Sequence, residues 1–173
     1  MKIIINLTLE DIFKFFIQLI LMPDVYIAGS LRHSPEEWWK IYEKIADVVK
    51  EFGLNPYVPH INTINDLNRT IEDIHNPDLD LSVREENYKK NLEAIKNSKL
   101  VIAEVTKSST GTGVEIGFAL QFGKPIICLA YKEVDITNMV LGPVHLGLIK
   151  LIRYKNENDA LVELKNMLKG FYE

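Results

Sequence analysis

A single cysteine, Cys128, leaves no partner for an internal disulfide, so the chain reads as intracellular, cytoplasmic and kept reduced. Positive charge is not in excess. Lys plus Arg number 20 against 24 Asp plus Glu, a net charge of −4, and a strongly basic nucleic-acid binder is excluded because phosphate backbones are gripped by clustered cations. A long uncharged hydrophobic run is missing too. The most apolar stretch, Met1 to Met22, is broken by Glu10, Asp11 and Lys14, and a membrane span needs about 20 mostly uncharged residues. It lacks the small-residue cleavage site of a signal peptide. His33, His60, His75 and His145 show no metal-ligand spacing. No repeat, low-complexity tract or interdomain linker is present.

What remains is an ordinary globular balance, 47% apolar and 25% charged over 173 residues, enough for one domain with a core that needs no staple. The expected organisation is an N-terminal extension over residues 1–22 and a single domain over residues 23–173. The extension has two readings. It packs as an extra strand and amphipathic helix on the domain or a partner, or translation starts at Met22. The second is preferred because the first recognisable strand follows Met22-Pro23 at once.

From Asp24 onward, short apolar runs alternate with helical periodicity. Strands are expected at 24–28, 55–59 (an edge strand, from its prolines), 100–105, 125–130 and 148–154. Helices are expected at 35–52, 83–97, 113–122 and 159–168, with Tyr88, Leu92 and Ile95 inward on the second. The polar stretch 61–80 reads as a short helix and loop over the top of the domain. Continuous apolar strands between helices imply a parallel sheet covered on both faces. The fold expected is α/β: a doubly wound, flavodoxin-like five-stranded parallel sheet in a three-layer sandwich.

In such folds ligands sit beyond the carboxyl ends of the strands. Three segments fall there: Gly29-Ser30-Leu31-Arg32, Thr106 to Glu115, and the residues after Ala130. In TKSSTGTGVEIG, small residues let a backbone approach a ligand, and amides at a helix start with Ser109, Gly111 and Gly113 suit an anion. The same residues also suit a plainly capped helix start. The segment carries no GKS or GKT, so it is not a P-loop. Glu115 is expected in the first turn of that helix, where the macrodipole favours its anion. Arg32 can clamp a phosphate with two parallel hydrogen bonds. His60 lies at the same edge, within reach of a base. Cys128, inside an apolar strand, reads as core, and Trp38 and Trp39 as packing.

VYIAGSLR at Val25–Arg32, and NLEAIKNSKLVIAEVTKSSTGTGVEIGFALQFGKPIICL at Asn91–Leu129, resemble the nucleoside 2-deoxyribosyltransferase superfamily. The nearest branch is that of the 2'-deoxynucleoside 5'-phosphate N-hydrolases. The resemblance implies that Glu115 is a nucleophile, that Tyr26 lies near it and the sugar, and that Ser109 contacts the 5'-phosphate. It further implies that Gly29, Ser30, Leu31 and Arg32 wrap the nucleotide and that His60 is near the ligand. Thr137, Asn138 and Met139 resemble a segment that reaches the neighbouring subunit's phosphate site, which implies a homodimer with shared active sites. Asn91 stands where the family has an aspartate that assists the leaving base, and neither Asn87 nor Tyr88 on the same helix face is a carboxylic acid.

The implied reaction is hydrolysis of a deoxynucleoside 5'-monophosphate to deoxyribose 5-phosphate and a free base, with no metal or organic cofactor. A carboxylate beneath C1' stabilises or traps the positive charge that builds as the base leaves. The alternatives are base exchange between unphosphorylated nucleosides, and, because of Asn91, a nucleotide-binding domain without catalysis.

Overall fold

The computed structural model describes residues 22–32 and 34–172, so His33 and the 1–21 part of the expected extension lie outside the described residues. The elements are β1 (Val25–Ala28), α1 (Glu36–Glu51), β2 (Pro56–Tyr57), α2 (Asn62–Leu67), α3 (Ile71–His75), α4 (Leu81–Asn97), β3 (Leu100–Glu104), α5 (Thr110–Gln121), β4 (Ile126–Tyr131), α6 (Asn138–His145), β5 (Lys150–Tyr154) and α7 (Glu157–Tyr172). The strands form one sheet in the order β2-β1-β3-β4-β5. Every pairing is parallel, with Tyr26 beside Val101 and Ala103 beside Cys128. The doubly wound fold expected from the sequence is the one observed.

Alternation along β1 and β3 feeds two cores, one on each face of the sheet. Val25, Ile27, Leu100 and Ile102 join Ile41, Ile45 and Val49 of α1 and Leu164 and Leu168 of α7. Tyr26, Ala28, Val101 and Ala103 join Ile95 of α4 and Ile116 and Ala119 of α5. A parallel strand covered on both sides must be apolar throughout, which is why these strands are continuous hydrophobic runs. Cys128 is buried in β4, as expected of a core residue.

Several boundaries differ, each for a physical reason. β2 is only two residues long, because prolines cannot donate to the ladder. The stretch 61–80 holds two short helices, the second closed by a capping box between Thr70 and Asp73. Tyr88 is half exposed rather than inward, its ring resting 6.1 Å from that of Phe118. α6 had no expected counterpart: Pro143 inside its eight residues disguised it. α5 begins three residues earlier than expected. Gly111 and Gly113 are weak helix formers, but Ser109 caps the helix by accepting the Thr112 N–H at 3.2 Å, and the cap decides where the turn begins.

Candidate active site

The strand order reverses between β1 and β3, and a cavity of about 590 Å³ opens above the carboxyl ends of those strands. Three layers of residues enclose it. The loop after β1 gives Gly29, Leu31 and Arg32; the start of α5 gives Ser109, Gly111 and Glu115; a roof made of α2, α3 and the loop to α4 gives Ile64, Ile71 and Leu79.

Glu115 stands in the second turn of α5, not in the first as the sequence suggested, because the helix starts at Thr110. Its carboxyl lines the cavity and is tied to the sheet through Tyr26. Oε1 accepts a hydrogen bond of 2.7 Å from the hydroxyl of Tyr26. Tyr26 is fully buried in β1 and stacks on Tyr57 at 5.8 Å. Burial pushes the Glu115 carboxyl up to about 7, and the Tyr26 hydrogen bond pulls against that rise. The Tyr26 phenol is held well above the ordinary tyrosine range by burial and by the carboxylate beside it. Glu115 alone supplies a carboxyl to the cavity lining among the described residues.

Ser109 does two things at once. Its Oγ accepts from Thr112 N–H, and its own proton remains available to a ligand. Gly113 N–H returns to the Ser109 carbonyl, while the amides of Thr110 and Gly111 have no acceptor among the described residues. Ser109, Thr110, Gly111 and Arg32 all line the cavity, and free amides at a helix start with a hydroxyl and a guanidinium are the donors that suit an anion.

Gly29 is required because Tyr42 packs against its backbone. A Cβ there would stand 2.3 Å from the Tyr42 ring, whose hydroxyl donates to the Ser30 carbonyl at 2.9 Å. Ser30 is itself buried, its Oγ accepting from Ser34 at 3.0 Å, so it shapes the loop from behind and does not line the cavity. His60 does line it. Its ring lies between Trp39 and Tyr42 at 5.9 and 6.0 Å, with Nε2 3.2 Å from Glu43 Oε1. Burial lowers the His60 pKa, against the pull of Glu43.

Asn91 faces the cavity from the middle of α4, held by Thr63 at 2.6 Å and by Asn87 at 2.9 Å. Gly113 does not line the cavity. Nor do Thr137, Asn138 and Met139, which sit exposed at the start of α6. Sequence reasoning missed Thr63, Arg84 and the apolar roof. The legible signal was the spacing 84, 87, 88 and 91, which places four residues on one helix face. It also missed Glu104, buried on the opposite face of the sheet, where Tyr154 donates to it at 2.9 Å and Thr106 also bonds it. No group of three or more His, Cys, Asp and Glu residues that could hold a metal ion occurs among the described residues. No described helix is long and apolar enough to cross a membrane.

The sequence model described as nucleoside 2-deoxyribosyltransferase matches residues 25–164. The chain is 30% identical over 159 residues to the 5-hydroxymethyl-dUMP N-hydrolase of Homo sapiens, covering 87% of this chain and 80% of that one. Its fold is similar to that of a CMP N-glycosidase of Clostridium botulinum, with a TM-score of 0.57 and 22% identity, covering 81% of this chain and 96% of the other. It is also similar to a 2-deoxyribosyltransferase of Bacillus psychrosaccharolyticus, with a TM-score of 0.56 and 20% identity over 79% of this chain and 89% of the other.

Proposed function

We propose that this chain, which belongs to the nucleoside 2-deoxyribosyltransferase family, hydrolyses the N-glycosidic bond of 2'-deoxynucleoside 5'-monophosphates with Glu115 as nucleophile. The products are deoxyribose 5-phosphate and a free base. The observation that carries this reading is a carboxyl in the cavity lining, hydrogen-bonded to Tyr26 at 2.7 Å, with the capped start of α5 in the same lining. The name of the human relative, which is 30% identical, points to the same bond in a nucleotide of this class.

The chemistry follows from those groups. Substrate phosphate rests against Ser109, the free amides and Arg32, so binding energy gathered away from the reacting carbon holds C1' over Glu115. The ionised carboxylate bonds to C1' as the C1'–N bond breaks and its electron pair leaves with the base. Tyr26 fixes the carboxylate by donating to one oxygen, leaving the other for C1'. A water then attacks C1', the ester bond breaks, and Glu115 is restored. Because the carboxyl titrates at about 7, the nucleophile is partly ionised at neutral pH and gains as pH rises.

The same reading includes a homodimer in which the α6 start of one copy, Thr137 to Met139, completes the phosphate site of the other. Those residues are exposed and lie outside their own chain's cavity, and Met139 is 80% exposed. A second reading, a nucleotide-binding domain without turnover, is favoured by Asn91. One experiment separates them. Incubation with each deoxynucleoside monophosphate should release free base, and Glu115→Ala should abolish release while the nucleotide still binds. Base release that survives Glu115→Ala, or binding with no release, would overturn the hydrolase.

A further inference from the structure

Breaking an N-glycosidic bond leaves a base carrying an electron pair, and something must accept that charge. With the phosphate at the α5 start and C1' over Glu115, the lining left for the base includes Thr63, Asn87, Tyr88 and Asn91. Hydrogen bonds give that part of the lining a direction. Thr63 Oγ1 donates its one proton to Asn91 Oδ1 at 2.6 Å. In the 2.8 Å contact with Tyr57 it must therefore accept, so Tyr57 donates. Asn91 Nδ2 in turn donates to Asn87 Oδ1 at 2.9 Å. The chain runs Tyr57, Thr63, Asn91, Asn87, each member polarising the next. Both carbonyls are used inside it. The groups left over are N–H donors: the second proton of Asn91 Nδ2 and the NH2 of Asn87, for which no acceptor occurs among the described residues.

We propose that Asn91 and Asn87 form a donor-only contact for the departing base, so that the base leaves as a hydrogen-bonded anion and is not protonated by an acid of the enzyme. This rests on the hydrolase reading of the cavity. In balance, the C1'–N pair passes to the base nitrogen as the Glu115 oxygen bonds C1'. The water that later breaks that ester yields, through solvent, the proton the base anion takes up. Glu86 and Glu93 are exposed on α4 and do not line the cavity. Asp66 on α2 and Glu93 face Tyr57 from outside the chain of bonds. Facing Glu115 are the phenols of Tyr26 on β1 and Tyr42 on α1. The titratable side chains elsewhere in the lining are Arg32, Arg84, Tyr88, His60 and His75. His60 has Nε2 turned to Glu43, but its buried Nδ1 has no partner among the described residues, so His60 and His75 of the roof are the rival acids.

Donors without an acid make rate depend steeply on the stability of the base anion. The wild type should cleave dUMP, whose base anion is spread over two carbonyls, much faster than dCMP. Its kcat/KM for dUMP should show no descending limb between about pH 6 and 8.5. Asn87→Ala should lower kcat for dUMP by about 10- to 100-fold, the range for a hydrogen bond to a charged group, and change KM only a few-fold. Asn91→Asp should narrow the gap between dUMP and dCMP and introduce a descending limb. A descending limb in the wild type, traced to its acid by its loss in His60→Asn or His75→Asn, or a dUMP to dCMP ratio unmoved by Asn91→Asp, would overturn the proposal. Calorimetry covers the case in which no base is released. If dUMP binds about fivefold tighter than deoxyribose 5-phosphate and Asn87→Ala removes that margin, the contact stands and the hydrolase alone fails. If the two bind equally in the wild type, or the margin survives Asn87→Ala, the contact itself is refuted.

Discussion

A carboxyl group closed in by protein resists ionisation, and Glu115 carries that resistance into the reaction it is proposed to perform. Its pKa rises to about 7 from an unfolded value near 4.5, so between those pH values the folded chain holds more protons than the unfolded chain. Stability accordingly falls as pH rises through that window and stays low above it, while the nucleophile becomes ionised over the same range. A tenfold change in proton affinity corresponds to about 1.4 kcal/mol, and partial exposure to the cavity reduces the whole effect to about 2 kcal/mol. Glu115→Gln keeps an acceptor for Tyr26 and removes the charge. Denaturant unfolding should find this variant about 2 kcal/mol more stable than the wild type at pH 8 and equal to it near pH 4. Equal stabilities at pH 8 would show that the carboxylate is well solvated, and the raised pKa would then be wrong.

At the scale of the element, the start of α5 joins a structural role to a proposed functional one in a single hydroxyl. Ser109 Oγ caps the helix through Thr112 N–H, which leaves its own proton for the proposed phosphate contact. Two substitutions separate these roles. Ser109→Ala should cost about 1 kcal/mol for the lost cap and also weaken nucleotide binding. Ser109→Asp should keep the cap, since aspartate is an excellent N-cap, yet repel a phosphate. Thermal unfolding and calorimetric titration with a deoxynucleoside monophosphate, run on both variants, read the two effects apart. Nucleotide affinity undiminished in Ser109→Asp would remove the phosphate from this helix start. The element also shows what the residues alone could and could not say. The apolar strand runs and the phrase TKSSTGTGVEIG placed the helix start and Glu115 at one sheet edge, because strand burial and small residues leave direct marks in sequence. The true first turn was hidden, since glycines argue against helix and only the cap geometry overrides them. Asn87 was legible as a neighbour of Asn91, one turn away on the same helix face, but Thr63 was not. Thr63 is 28 residues from Asn91 in the chain, and only the packing of α2 against α4 brings them together.

Across the whole molecule, the sheet supplies a rigid floor and the segment 61–80 a roof, which the sequence marked as a polar short helix and loop over the top of the domain without showing what holds it. Polar residues on short helices bury little, so the roof depends on specific anchors. Arg84 in α4 is the strongest of them. Its Nε donates to the Leu79 carbonyl at 3.1 Å, and its second nitrogen to the carbonyls of Asn76 and Pro77 at 2.9 and 2.8 Å. Three carbonyls of one loop thus converge on one guanidinium fixed in a helix, and Lys90 adds an ion pair to Asp66 of α2 at 3.7 Å. The loop lies over the cavity, so its order and the cavity's shape are one property. Arg84→Gln should leave the sheet and both cores untouched and shift the melting temperature little. Amide exchange over residues 76–80 of the ligand-free protein should speed up by about tenfold, as local opening loses more than 1 kcal/mol of opposition. KM for the nucleotide should rise while kcat falls less, since the roof encloses the substrate without touching the bond that breaks. Exchange unchanged in that loop would mean that the roof is held from elsewhere, by its Ile64 and Ile71 contacts, and that Arg84 is free to meet the ligand itself.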